Sequence, residues 1–327
     1  MVQNIWGKLN RLDDQGILDA LVWMGGNLVY VAPSGSDSNY GNSDSPVASL
    51  EEAYGRLRDG FNDAIVLAPD FLTGLSDAAA SCTIRVNAAF SWNKSATHLI
   101  GLSPSIADIF ISPRARLAPT STTVAFANFF TIPLAVTGCL FRGIQWFHDF
   151  ATDTTSQVAV TVTGCRNVFQ RCHFAGGNND DAGNRSLLLT SGASGNKGEN
   201  LFEDCTIGID TVDRAQASGL LGLAGTQVPR NWFRRCLFLS RATGANPRMI
   251  LAGSQAIDRF IMFEECTFIN HGTALTSLMT LNASQNGPVL MTNCARYNCG
   301  NFGDTANTLI TGPVTVNTAG LGTAPAA

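Results

Sequence analysis

The residues best placed to do chemistry sit beside cysteines that recur along the chain. Cys139, Cys172, Cys205, Cys236, Cys266 and Cys294 are separated by 33, 33, 31, 30 and 28 residues. Phe169, Phe202, Phe233, Phe263 and Met291 precede five of them at one fixed offset. Cys139, with Val136 before it and Phe141 after it, fits the same frame. The position just before the cysteine runs Arg171, Asp204, Arg235, Glu265. If each repeat is one turn of a stacked structure, Asp204 and Glu265 lie two turns apart, about 9–10 Å. That is the upper edge of the roughly 6.5–9.5 Å between the carboxyls of an inverting glycosidase. Arg235 between them would keep both ionised, whereas a general acid needs a raised pKa. The column reads instead as a ladder of alternating charge that fixes register, each opposite-charge neighbour contributing about 0.2–1 kcal/mol.

The remaining constellations are weaker. Asp180 and Asp181 lie in a Gly- and Asn-rich loop from Gly176 to Gly183 that lacks the regular ligand spacing of a calcium loop, so they read as a solvated turn. Glu203 and Glu264 read as solvated too. His98, His148, His173 and His271 are scattered, and no Ser-His-Asp or Cys-His arrangement follows from their spacing. The nine cysteines include no C-x-x-C pair and no zinc-finger spacing. Cys82, Cys165 and Cys299, outside the ladder, have no activating context. The stretch Gly192 to Gly195 does not match a phosphate loop. No catalytic residue, metal ligand or cofactor is assigned. The six ladder cysteines are expected to form a stacked, reduced column in a protein made in a cytosol.

Elements must hold such a column in line. A period near 30 residues fits one coil of a three-sided β-solenoid. The repeats are short and rich in Phe, Ile, Val and Thr, unlike the 10–15-residue amphipathic helices of helical repeats. In that register Phe169, Phe202, Phe233, Phe263 and Met291 form an inward apolar stack. Asn167, Asn200 and Asn231 are expected at a corner, in left-handed backbone. Phe126, Phe129, Phe130, Phe141, Trp146, Phe147 and Phe150 read mainly as core, with some free to line a sugar groove or subunit interface. Charged residues are 14% of the 327, against about 25% in a typical soluble domain. Net charge is −4, and only Lys8, Lys94 and Lys197 are lysines. This argues against a nucleic-acid surface and excludes disordered and coiled-coil classes. No apolar run approaches a membrane span, and Met1 to Asn10 lacks the pattern of a secretory signal. The class expected is all-β, with about seven to nine coils stacked over roughly 35–45 Å.

Residues 1–27 read as an arm. Ile5, Leu9 and Leu12 share a helical face, and a second helix starts at Asp13 or Asp14 with Ile17, Leu18, Leu21 and Val22 apolar, stopping at Gly25-Gly26. The arm packs either on its own domain or on another chain; Trp6, Leu9, Leu12, Leu18, Leu21 and Trp23 are its candidate interface anchors. Residues 28–310 form the body, opened by a segment over 28–72. That segment runs from a strand at Leu28 to Val31 through a polar loop to a helix with a Ser49/Glu52 capping box, then to a strand over 64–68. Thr311 to Ala327 reads as an extended strap.

This order, with its GSDSNYG loop and SPVASLEEA helix, resembles the opening of right-handed parallel β-helix proteins, which include pectin-lyase-like enzymes and tailed-phage tail and capsid β-helices. The coil pattern resembles theirs with Cys in the place of a stacked Asn, while Pro69-Asp70-Phe71 departs from their Gly-Thr-Tyr-like turn. The resemblance implies a right-handed parallel β-helix whose short helix caps the first rung. In function it implies a structural virion protein that decorates or cements a phage capsid. Such a protein is made in the host cytoplasm, forms a homo-oligomer (a trimer first) and attaches through its terminal arm to capsid or other virion proteins. The alternative is a tailspike-like protein that binds or depolymerises surface polysaccharide as a lyase or hydrolase. Neither nucleic acid nor membrane is expected as a partner.

Overall fold

The computed structural model describes residues 14–68, 83–102, 115–120, 128–148, 157–177, 180–191, 198–281, 285–302 and 308–311. Trp6, Leu9, Leu12, Cys82, Phe126, Phe150 and residues 312–327 lie outside them. Among the described residues, three parallel sheets of ten, nine and seven strands take one strand each from successive coils.

Alternating side-chain direction along short strands dictates this arrangement. In the ten-stranded first sheet, Phe141, Phe169, Phe202, Phe233, Phe263 and Met291 are successive register partners. All six are fully buried. The Phe169–Phe202 and Phe202–Phe233 ring centroids are 4.6 and 4.5 Å apart and nearly parallel. That matches the ~4.8 Å between strands, so each ring stacks without leaving its rung. Trp146, Phe174, Phe238 and Phe268 line the inner face of the nine-stranded second sheet. Phe130, Val160, Leu187, Leu221, Ile250 and Met279 line that of the seven-stranded third. Each buried side chain of this size contributes roughly 1.5–3 kcal/mol, and together they form one continuous core.

The corners are single left-handed residues. Arg171, Asp204, Arg235 and Glu265 have φ of 51, 52, 50 and 53° and turn the chain from the first sheet into the second. The expectation for the other corner is one residue out of place. Arg166, Glu199 and Arg230 are left-handed there, at φ 55, 63 and 52°. Asn167, Asn200 and Asn231, which follow them, point inward and are buried.

Cys139 needs a larger correction. Leu140 and Phe141 pair with Val168 and Phe169, which puts Cys139 level with Asn167, not with Cys172. Its backbone N–H accordingly donates to Asn167 Oδ1 at 3.0 Å. The cysteine two positions before a phenylalanine mimicked the frame of those three positions after one. Ile144, next to Gln145 that pairs with His173, precedes Cys172 in the column.

The helix Asp14–Trp23 lies on the outer side of the first sheet, where Ile17, Leu18 and Leu21 bury against Ala64, Val66 and Ile100. Leu18 and Leu21 therefore serve this chain's own body, not another chain, whereas Trp23 is 86% exposed. The helix Leu50–Arg56 is capped by Ser49, whose Oγ accepts from Glu52 N at 3.2 Å. Its Leu50 and Ala53 join the interior.

Candidate functional site

Two charged columns run side by side at the corner between the first and second sheets. One lies on the outer face of the first sheet, where Arg142, Gln170, Glu203, Arg234 and Glu264 are register partners. The other is the left-handed corner column. Phenylalanine points inward, so the next strand residue must point outward, two positions before each cysteine. That position carries Gln170, Glu203, Arg234 and Glu264. The pattern is present in the sequence, one position after each repeat phenylalanine.

Glu203 is only 2% exposed, which corrects its assignment as solvated. It accepts from Gln170 Nε2 at 2.8 Å, from Arg235 Nη2 at 3.0 Å and from Arg234 Nη1 at 3.5 Å. Glu264 is also drawn in, 3.7 Å from Arg234 Nε. Arg235 additionally grips Asp204 with Nε at 2.7 Å and Nη2 at 3.0 Å. Its hydrogen bond to Asp204 and the charge of Glu203 hold the guanidinium well above its usual range. Arg142 Nη1 donates to Gln170 Oε1 at 2.9 Å. The alternating ladder expected at the corner is thus realised only at Asp204–Arg235; among the described residues, Arg171 and Glu265 form no ion pair. Between the columns opens a shallow pocket of about 260 Å³, lined by Arg142, Gln170, Arg171, Glu203, Asp204, Arg234 and Arg235.

Each lining carboxylate is tied to an arginine, Glu203 to Arg234 and Arg235 and Asp204 to Arg235. The site can offer fork-shaped donors to an oxyanion. The outer face of the third sheet differs. Its column of Ser91, Thr131, Thr161, Leu188, Gly222, Leu251 and Thr280 is hydroxylic and aliphatic, with no titratable group.

Asp180 is exposed, as expected, and is also a structural acceptor: its Oδ1 takes Ala215 N at 3.0 Å and Gln216 N at 3.1 Å, tying down a neighbouring loop. His98 is buried, its Nδ1 accepts from Leu140 N at 3.0 Å, and burial pushes its pKa down to about 4. His173 bridges Gln145 and the Gly208 carbonyl. Cys172, Cys205, Cys236, Cys266 and Cys294 occupy one column as free thiols. Each Sγ reaches the carbonyl of the phenylalanine one coil earlier, as from Cys205 to Phe169 O at 3.4 Å and from Cys236 to Phe202 O at 3.3 Å. Burial pushes the Cys205 and Cys266 thiols up, and that of Cys299 to about 12. Among the described residues, no group of three or more His, Cys, Asp and Glu side chains is placed to hold a metal ion.

Three parallel sheets wound coil on coil around stacked aromatic columns define a right-handed parallel β-helix of pectin-lyase-like architecture. No protein-family profile matches the chain, and no curated protein matches it in sequence. Solved structures do. A pectin methylesterase from Aspergillus niger is similar over 90% of this chain and 91% of its own, with a TM-score of 0.54 and 10% identity. The pectate lyase Pel9A is similar over 89% and 78%, at TM-score 0.51 and 15% identity. A pectin methylesterase crystallised with a hexasaccharide is similar over 87% and 80%, at the same TM-score and identity. At these identities the likeness is one of fold.

Proposed function

We propose that this chain is a structural β-helix of the virion type, a rigid body that decorates or cements a phage capsid as a homo-oligomer. One observation carries the non-catalytic part of that reading. The two acidic residues that line the pocket, Glu203 and Asp204, are both tied to the same arginine, Arg235. The virion part rests on the resemblance of the opening segment and coil pattern. The fold itself is equally at home in pectin-processing enzymes, so the polysaccharide reading is the one to test against.

Attachment is assigned to the chain before Asp14, because the helix Asp14–Trp23 is already spent on the body. Particles assembled with the full chain should show its density on their surface by electron microscopy, and particles assembled with a chain lacking residues 1–13 should not. In parallel, the purified protein should release no reducing ends from pectin or host-surface polysaccharide. Cleavage that vanishes in Glu203→Gln would replace this reading with the enzymatic one.

A further inference from the structure

We infer that the pocket beside the Arg171 corner binds a dianionic oxyanion of the phosphate type, free or carried as a phosphomonoester. This goes beyond the structural role and does not depend on it. The lining holds four guanidinium groups and two carboxylates, a net of two positive charges, in a chain whose overall charge is −4. A local excess of that sign in a concave site focuses field on an anion.

The charges are not equally committed. Arg235 saturates Asp204 and shares Glu203 with Arg234. Arg171 makes no ion pair or side-chain hydrogen bond among the described residues. Its column neighbours explain why. On one side stands Asp204, both of whose oxygens already accept from Arg235. On the other stands Gly143, the left-handed corner residue one coil earlier at φ 65°, which has no side chain to pair with it.

The site is also built, not merely a scatter of surface arginines. Arg142 and Glu203 are 3 and 2% exposed, and both are bonded to Gln170. Guanidinium forks suit the paired oxygens of a phosphate better than a lone halide. A phosphomonoester carries about −1.5 to −2 charges near pH 7, which matches the excess of the lining.

Titration calorimetry of the full chain tests this with inorganic phosphate, glucose 6-phosphate, glucose and sodium chloride at matched ionic strength. Saturable binding of inorganic phosphate, absent for glucose and chloride, is expected. Tighter binding of glucose 6-phosphate would identify a carried phosphate as the natural source, and equal binding a free one. Arg171→Gln should weaken binding about tenfold or more, the loss typical of a charged hydrogen-bonding partner. Asp204→Asn should leave binding intact or tighten it, because it frees Arg235. Asparagine tolerates the left-handed backbone, so this variant keeps its fold. Heat release indistinguishable from chloride, unchanged affinity in Arg171→Gln, or lost affinity in a folded Asp204→Asn would each overturn the assignment.

Discussion

The two corners that flank the first sheet place a charged residue in left-handed backbone and bury the side chain that follows it, yet they use different atoms. At the corner entering the sheet the buried group is an amide. Asn167 Oδ1 accepts from Cys139 N, Asn200 Oδ1 from Asn167 N, and Asn231 Oδ1 from both Asn200 N and Asn200 Nδ2. At the corner leaving the sheet it is a thiol that donates only weakly to a carbonyl. The amide run spans three coils before Ile261 and Val289 replace it. The thiol run spans five, from Cys172 to Cys294. An amide carries donors and an acceptor, so each rung satisfies its neighbour and suffers when the neighbour is lost. A thiol asks little of the next coil and fills space as a small apolar group. The same fold therefore holds one coupled corner and one in which rungs are nearly independent.

Substitution of the middle amide should separate the two most sharply. Asn200→Ala strips the acceptor from Asn167 N and the donor from Gly164 O. At about 1–3 kcal/mol for each buried group left unpaired, the loss should be about 3–5 kcal/mol by urea unfolding. A loss no greater than that of a thiol variant would erase the distinction.

Acid should come next, through the first sheet's third strand, His98–Gly101. His98 is favoured neutral in the fold, with a pKa of about 4 against 6.5 when unperturbed. Stability should thus be complete above pH 6.5 and decline as pH falls towards 4, by up to about 3 kcal/mol. His98→Gln should flatten that part of the stability–pH curve.

The leaving corner should respond least. Cys205→Ala should cost about 1–2 kcal/mol, the transfer and cavity terms for one small buried group. Alkali tests a buried thiol outside that corner, Cys299, which follows the last strand of the second sheet. A thiol whose folded pKa is raised contributes stability below its unfolded value and loses it as pH climbs. For Cys299 that window runs from 9 to about 12. Wild type should weaken across it more steeply than Cys299→Ala.

The sequence revealed as much of this as periodicity can carry. Phenylalanine at a fixed offset from cysteine was enough to predict the inward stack, and the Ser49/Glu52 pair marked the short helix. What failed was phase within a coil. Cys139 shares a cysteine and a nearby phenylalanine with the later repeats, but their order is reversed, and only strand register reveals that it belongs to the amide corner. Glu203 and Asp204 are adjacent acidic residues with opposite fates, because the strand ends between them: one is buried under two arginines, the other sits on the turn. The pocket they line also takes in Arg142, 61 residues earlier in the chain than Glu203, a juxtaposition that composition and motif do not encode.

The most direct test of the ladder account is a thiol count made twice without reductant, once native and once in denaturant. The five column cysteines are at most 2% exposed, so they should react with an aromatic disulfide reagent only as fast as the protein unfolds. In denaturant all nine cysteines of the chain should titrate as thiols. Disulfides in the denatured count, or rapid native labelling of Cys205 or Cys236, would contradict a buried column of reduced rungs.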